Sequence, residues 1–237
     1  MSSVVGVGAM LSDVRGRAQA LAAPLPSWTA VRRRLVQLYV SLVVYGISMA
    51  LMIRSELGNM PWDVLHQGLA EQLGLPFGVV VVLVSALVLL AWWPLHERPG
   101  LGTISNVLVI SAVIDPALAL VPEDGSLPAR VALAVAGVVL NGAATAGYIG
   151  VRFGPGPRDG LMTGLVRVTG SSVRLVRTAI EVAVVITGFL LGGTLGAITL
   201  LYALAIGPLT QLFLPLLSVP AEDAPPRERG RVRGSAL

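Results

Sequence analysis

Cysteine and lysine are both absent from the 237 residues, and histidine occurs only twice, at His66 and His96. Without cysteine there is no disulfide, thiolate metal site or thiol nucleophile. Two isolated histidines leave few acid–base pairs and no cluster to hold an ion, so neither a metal nor a cofactor is expected. Three active-site signatures are missing too: His-Glu-x-x-His, Gly-x-Ser-x-Gly and the phosphate-binding glycine loop. Enzyme activity is therefore not expected. Charge is scarce, at 13% of residues, against about 25% in soluble domains. Near the start, basic residues follow the short apolar run at 4–11 instead of preceding it, the wrong order for a secretory leader.

What is there is apolar: 54% of the chain. Long apolar runs alternate with short polar gaps. About 20 apolar residues, at about 1.5 Å per residue, match a hydrocarbon core of about 30 Å. In lipid such a run must be helical, because its backbone has no water to bond. The runs at 35–53, 76–95, 101–121, 131–151, 173–191 and 195–217 predict an all-α polytopic membrane protein with six transmembrane helices. Residues 1–33 read as a mobile cytoplasmic tail and 34–217 as the membrane domain. The Pro-, Arg- and acid-rich 218–237 reads as a disordered cytoplasmic tail. Trp92 and Trp93 close the second run, where indoles favour the interface. With both termini cytoplasmic, only Arg54 and Arg130 lie outside, as the positive-inside rule requires. That asymmetry explains the net charge of +4 without a nucleic-acid partner. The partner of the basic flanks is the lipid bilayer and its headgroups.

One polar stretch occurs twice. Leu57-Gly-Asn-Met-Pro-Trp-Asp-Val-Leu-His-Gln-Gly68 and Phe153-Gly-Pro-Gly-Pro-Arg-Asp-Gly-Leu-Met-Thr-Gly164 align without a gap at an offset of 96 residues. The offset also pairs Arg34 with Arg130, Ile53 with Ile149, Gly100 with Gly196 and Thr103 with Thr199. Two repeats follow, 34–115 and 130–211, each with three spans. Three is odd, so the second repeat enters the membrane from the opposite side. The expected architecture is two inverted three-helix repeats, each with a short Gly/Pro-started helix after its first span. Secondary transporters built in this way bind near the midplane, between the repeats.

The first span of each repeat carries a small-xxx-small pair, Gly46 with Ala50 and Gly142 with Ala146. Such pairs let backbones approach closely in lipid, and their matched positions place the first spans of the two repeats across each other. In each motif copy, Pro61 or Pro157 suits a first helical turn, and Asp63 or Asp159 favours the local dipole. The two aspartates either stabilise those turns or line a polar site with Asn59, Arg158 and Thr163. Glu181, with Arg177 and Arg174 one and two turns before it, is an ionisable group inside a span, which marks function or a structural ion pair. Asp115 precedes Pro116 in the third span, and Ile206-Gly-Pro208 interrupts the sixth; prolines there free carbonyls for a polar path or simply kink the helix. Asn106, Asn141 and Gln211 are candidate interhelical hydrogen-bond partners, and the two histidines read as solvated loop residues.

Pro61-Trp-Asp-Val-Leu-His-Gln-Gly68, Gly156-Pro-Arg-Asp-Gly-Leu-Met162, Val173-Arg-Leu-Val-Arg-Thr-Ala-Ile-Glu181 and Leu191-Gly-Gly-Thr-Leu-Gly196 resemble the YczE/YyaS/YitT family of bacterial integral membrane proteins, most closely its YczE-like branch. The resemblance covers about residues 34–217 and implies a multi-pass protein of the bacterial plasma (inner) membrane. It supplies no catalytic residues. The expected function is a small-solute transporter or permease whose path uses Asp63, Asn106, Asp115, Arg158, Asp159, Arg177 and Glu181. The alternative is a non-transporting membrane factor that scaffolds or regulates a cytoplasmic partner through the basic segment 152–177.

Overall fold

The computed structural model describes residues 28–122 and 125–219. Of the expected tails, 1–33 and 218–237, residues 1–27 and 220–237 lie outside the described residues, and 28–33 form the start of the first helix. The chain divides into two units, Leu35–Ser218 and a smaller one of Met1–Arg34 with Val219–Leu237. The site described below lies wholly in the first.

Among the described residues there are eight helices and no strand: α1 (Trp28–Ser55), α2 (Pro61–Leu73), α3 (Phe77–Trp92), α4 (Leu101–Leu120), α5 (Leu127–Gly150), α6 (Pro157–Thr169), α7 (Val173–Leu190) and α8 (Ala197–Leu217). Each expected apolar run is a helix, within a few residues at either end. The two short helices α2 and α6 begin at Pro61 and Pro157, where a missing N–H leaves nothing unbonded. Both end on left-handed glycines, Gly74 at φ 63° and Gly170 at φ 66°.

Four helices, α1, α4, α5 and α8, are long and apolar enough to cross a membrane singly, and the pair α2–α3 passes as one span bent by 115°. At 16 residues α3 is short for a bilayer, and α7 carries Arg174, Arg177 and Glu181. The described helices therefore supply four spans, or five with the bent pair, by length and composition. This is an integral membrane protein, and its outer faces show why. Val36, Val40, Val43 and Ile47 form an exposed stripe along α1, while Leu38, Leu42, Met49 and Met52 are wholly buried. Leu200, Leu204, Leu212 and Leu216 are exposed along α8 in the same way. Apolar surface so extensive belongs against lipid tails.

Residues 96 apart exchange contacts across the centre. Gly102 donates its N–H to the Phe153 carbonyl at 2.8 Å, and Ile198 donates to the Leu57 carbonyl at 3.1 Å; Gly102 is offset from Ile198, and Leu57 from Phe153, by the same 96 residues. The turns in these two contacts hold Gly58 at φ 116° and Gly154 at φ 114°, a region that side chains avoid. The Thr103 hydroxyl accepts from Gly100 N at 3.1 Å, as Thr199 does from Gly196 N at 3.3 Å. Larger pieces follow suit: α2 packs on α7, and α6 packs on α3. The small-to-large order reverses between these two contacts. Gly188 of α7 leaves room for the Val64–Leu65 backbone of α2, whereas Gly160 of α6 makes room for the Trp92 ring of α3.

Three expectations change. Gly46 and Gly142 are buried, but a Cβ on them would meet Val113 of α4 and Leu209 of α8, and Ala50 and Ala146 are buried as well. These glycines therefore pack each first span onto the last helix of its own repeat. The contact between α1 and α5 is made instead by Gly137 against Met52 and Ser48, and by Gly147 against Ser41. Trp92 is no interfacial indole: it is 1% exposed and donates to the Pro157 carbonyl at 3.0 Å, while Trp93 is 87% exposed. The prolines Pro116 and Pro208 do not end α4 and α8, which continue past them.

Candidate functional site

The first turns of α2 and α6 point toward each other. Arg158, the second residue of α6, lies over the ring of Trp62, the second residue of α2, at 5.0 Å. The same guanidinium stands 3.7 Å from Asp63 Oδ1. Asp63 is 1% exposed and contacts His66 Nδ1 one turn along, at 3.1 Å. His66 is equally buried, with its ring edge-on to Phe77. The expectation of a solvated loop histidine is thus overturned. The signal for it was present, because a helix starting at Pro61 puts positions 63 and 66 on one face. Asn59, just before the helix, donates to Gln67 Oε1 at 2.6 Å, and Gln67 in turn donates to Thr194 Oγ1 at 3.0 Å. One atom each of Asn59, Asp63 and His66 (Oδ1, Oδ2 and Nε2) is buried without a hydrogen bond.

Beside this pair of helix starts lies a cavity of about 330 Å³. It gathers five of the seven expected path residues, Asn106, Arg158, Asp159, Arg177 and Glu181, with Asp63 directly behind Arg158. Its two carboxylates, both half-buried, are each held. Asp159 Oδ2 accepts from the Tyr148 hydroxyl at 2.7 Å, and Glu181 Oε1 accepts from Arg177 Nε at 2.9 Å. Aromatic and aliphatic groups complete the walls, including Tyr45, Trp62, Tyr202 and Ile206. These aromatics were not among the expected path residues, although Tyr202 is offset by 96 residues from Asn106 and both line the same space.

Asp115 lies apart from the cavity. Both its oxygens accept from the Gly78 N–H, at 3.0 and 3.2 Å, at the start of α3. Thr163 is likewise turned to its own helix, donating to the Gly160 carbonyl. Asn141 bridges helices as expected: its amide donates to Ser48 Oγ and its oxygen accepts from the Tyr202 hydroxyl, both at 2.9 Å. Arg54 and Arg130, the two arginines placed outside, bond carbonyls at helix ends, Leu118 and Ser55 respectively.

The cavity is lopsided with respect to the repeat. Thr145, Tyr148, Arg177, Glu181 and Gln211 line it on one side. Of the residues 96 positions earlier, Met49 and Met52 are buried in packing, Val81 and Ser85 also line the cavity, and Asp115 caps α3. Chemically, the site offers one guanidinium held loosely, two carboxylates held firmly and an aromatic wall. Among the described residues no group of three His, Asp or Glu is placed to hold a metal ion.

Known proteins agree with this picture at the level of family. A Haemophilus influenzae "Uncharacterized protein" is 38% identical over 191 residues, covering 81% of this chain and 88% of its own. The Bacillus subtilis "Uncharacterized membrane protein YczE" is 29% identical over 180 residues, or 75% of this chain and 83% of that one. "Uncharacterized protein YyaS" of the same organism is 26% identical over 182 residues, 75% and 90% of the two chains. No solved structure matches. The motif resemblance to YczE- and YyaS-type proteins therefore extends over most of the chain, and with residues 32–215 matching it, the chain belongs to the family of unknown function DUF6198.

Proposed function

We propose that the protein is a small-solute transporter of the bacterial plasma membrane, built from two inverted three-helix repeats with both termini cytoplasmic. On this reading α3 and α7 are the middle spans of their repeats, shortened because α2 and α6 fill the space at their ends. The observation that carries it is the one-sided cavity between two halves that otherwise exchange contact for contact. A two-fold related pair of halves has two equivalent arrangements, and a site at their boundary then opens to one face or the other. Thr145, Tyr148 and Gln211 lie on the side that the arginine distribution assigns to the cytoplasm. The arrangement described here is therefore the inward-open one, and the protein performs no covalent chemistry on its cargo.

Uptake by proteoliposomes across a metabolite panel tests the reading. Transport that is lost in Asp159→Ala and Glu181→Ala supports it. An inert wild type, together with normal growth of cells carrying either variant, contradicts it. The alternative, a membrane factor docking a cytoplasmic partner, has one observation in its favour: Arg174, in the basic segment 152–177, is exposed. Arg174→Glu that abolishes co-purification of a partner without changing any flux would favour that alternative.

A further inference from the structure

The charged groups of the cavity differ in how well they are satisfied, and that difference identifies the ligand. Asp159 and Glu181 each have a donor within 3 Å. Arg158 makes no hydrogen bond among the described residues. Its polar neighbour is Asp63 at 3.7 Å, beyond hydrogen-bond distance, and its face rests on Trp62. Only 28% of its side chain is exposed. A guanidinium carries five N–H donors in a fork that fits a two-oxygen planar acceptor. The cavity wall around it combines apolar and aromatic groups, among them Tyr45, Ile110, Tyr202 and Ile206, with the polar Asn106 and Gln211. A volume of about 330 Å³ falls at the small end of ligand sites, which run from about 300 to 1,000 Å³.

We infer that the cavity takes a small monocarboxylate with an apolar body, whose carboxylate forks onto Arg158 and whose body lies against Tyr45, Tyr148 and Tyr202. The inference rests on the transporter reading for its claim that this ligand is the cargo. The ligand displaces no firm bond, because Asp63 holds the guanidinium only loosely. Trp62, 5.0 Å from the guanidinium carbon, limits its movement, so less side-chain freedom is lost when the acid arrives. An amine would have to share Asp159 and Glu181 with the donors that Tyr148 and Arg177 already supply.

The test is thermal melting and calorimetric titration of the full chain in nanodiscs, with benzoate, its neutral analogue benzamide and the cation benzylamine as probes. Benzoate should bind and raise the melting temperature; benzamide and benzylamine should not. Arg158→Lys should weaken benzoate about tenfold or more, the size of a lost charge-assisted pair, while Arg174→Gln leaves it unchanged. Should Arg158→Lys fail to fold, Asp63→Asn still decides, because removing the competing carboxylate must tighten benzoate, and unchanged or weaker binding overturns the inference. Selectivity for benzylamine overturns it too, as does failure of benzoate, phenylacetate and pentanoate alike to bind the wild type. Benzoate bound through Arg158 by a protein that transports nothing would keep the ligand class and remove the transport reading. Uptake of amines alone would do the reverse.

Discussion

Trp62 and Arg158 occupy the same position of the repeated motif, 96 residues apart, and in the folded chain they rest on each other at 5.0 Å. A residue touching its own counterpart marks the point about which the two halves exchange. The substitution of an indole by a guanidinium at that point gives the site one cation and one face to hold it. The site is therefore built around a position where the two copies of the motif differ.

The exchange predicts a size rule at the crossed contacts. A methyl group on Gly160 would overlap the Trp92 ring, so Gly160→Ala should destabilise the protein by about 1–3 kcal/mol. Adding Trp92→Val should recover part of that loss, because the smaller side chain vacates the space that the methyl group needs. Melting of both single variants and the double variant closes the cycle.

Asn141 ties α5 to α1 and α8 through Ser48 and Tyr202. Asn141→Ala should lower stability by about 0.5–2 kcal/mol, the range for interhelical hydrogen bonds in membranes. Ser48→Ala should then cost little in the Asn141→Ala background, which urea titration of the nanodisc-held protein can measure.

Asp115 serves the start of α3 and not the cavity. Asp115→Ala should cost about 1 kcal/mol, as loss of a capping side chain does. Ligand response should be untouched. A changed benzoate affinity in this variant would place Asp115 in the path after all.

Because the chain has no cysteine, introduced thiols report accessibility without background. Thr145→Cys should react with a small maleimide, and its counterpart Met49→Cys should be protected, since Met49 is fully buried. A ligand or condition that reverses the two rates would display the other arrangement of the halves.

Much of this architecture was legible in the chain because lipid imposes simple rules. Apolar runs fixed the helices, Pro61 and Pro157 their short starts, and the offset of 96 residues the crossed hydrogen bonds that Gly102 and Ile198 make. Arg177 and Glu181 paired as their spacing required. Hidden were the features that depend on which faces meet. His66 looked like a loop residue because its burial comes from Phe77 and α7, far along the chain. Trp92 looked interfacial because nothing local reveals the space that Gly160 leaves for it. Gly46 and Gly142 announced close contact without naming the partner. In lipid every face of such a helix is apolar, so periodicity cannot tell which neighbour a given stripe meets.

The most direct test of the two-fold inverted arrangement is side-specific labelling of two exposed counterparts at the ends of α2 and α6, Gln72→Cys and Val168→Cys. An impermeant thiol reagent applied to intact cells should reach position 72 and not 168, and inside-out vesicles should show the opposite. Labelling of both positions from the same face would contradict the arrangement, and with it the alternating path between the halves.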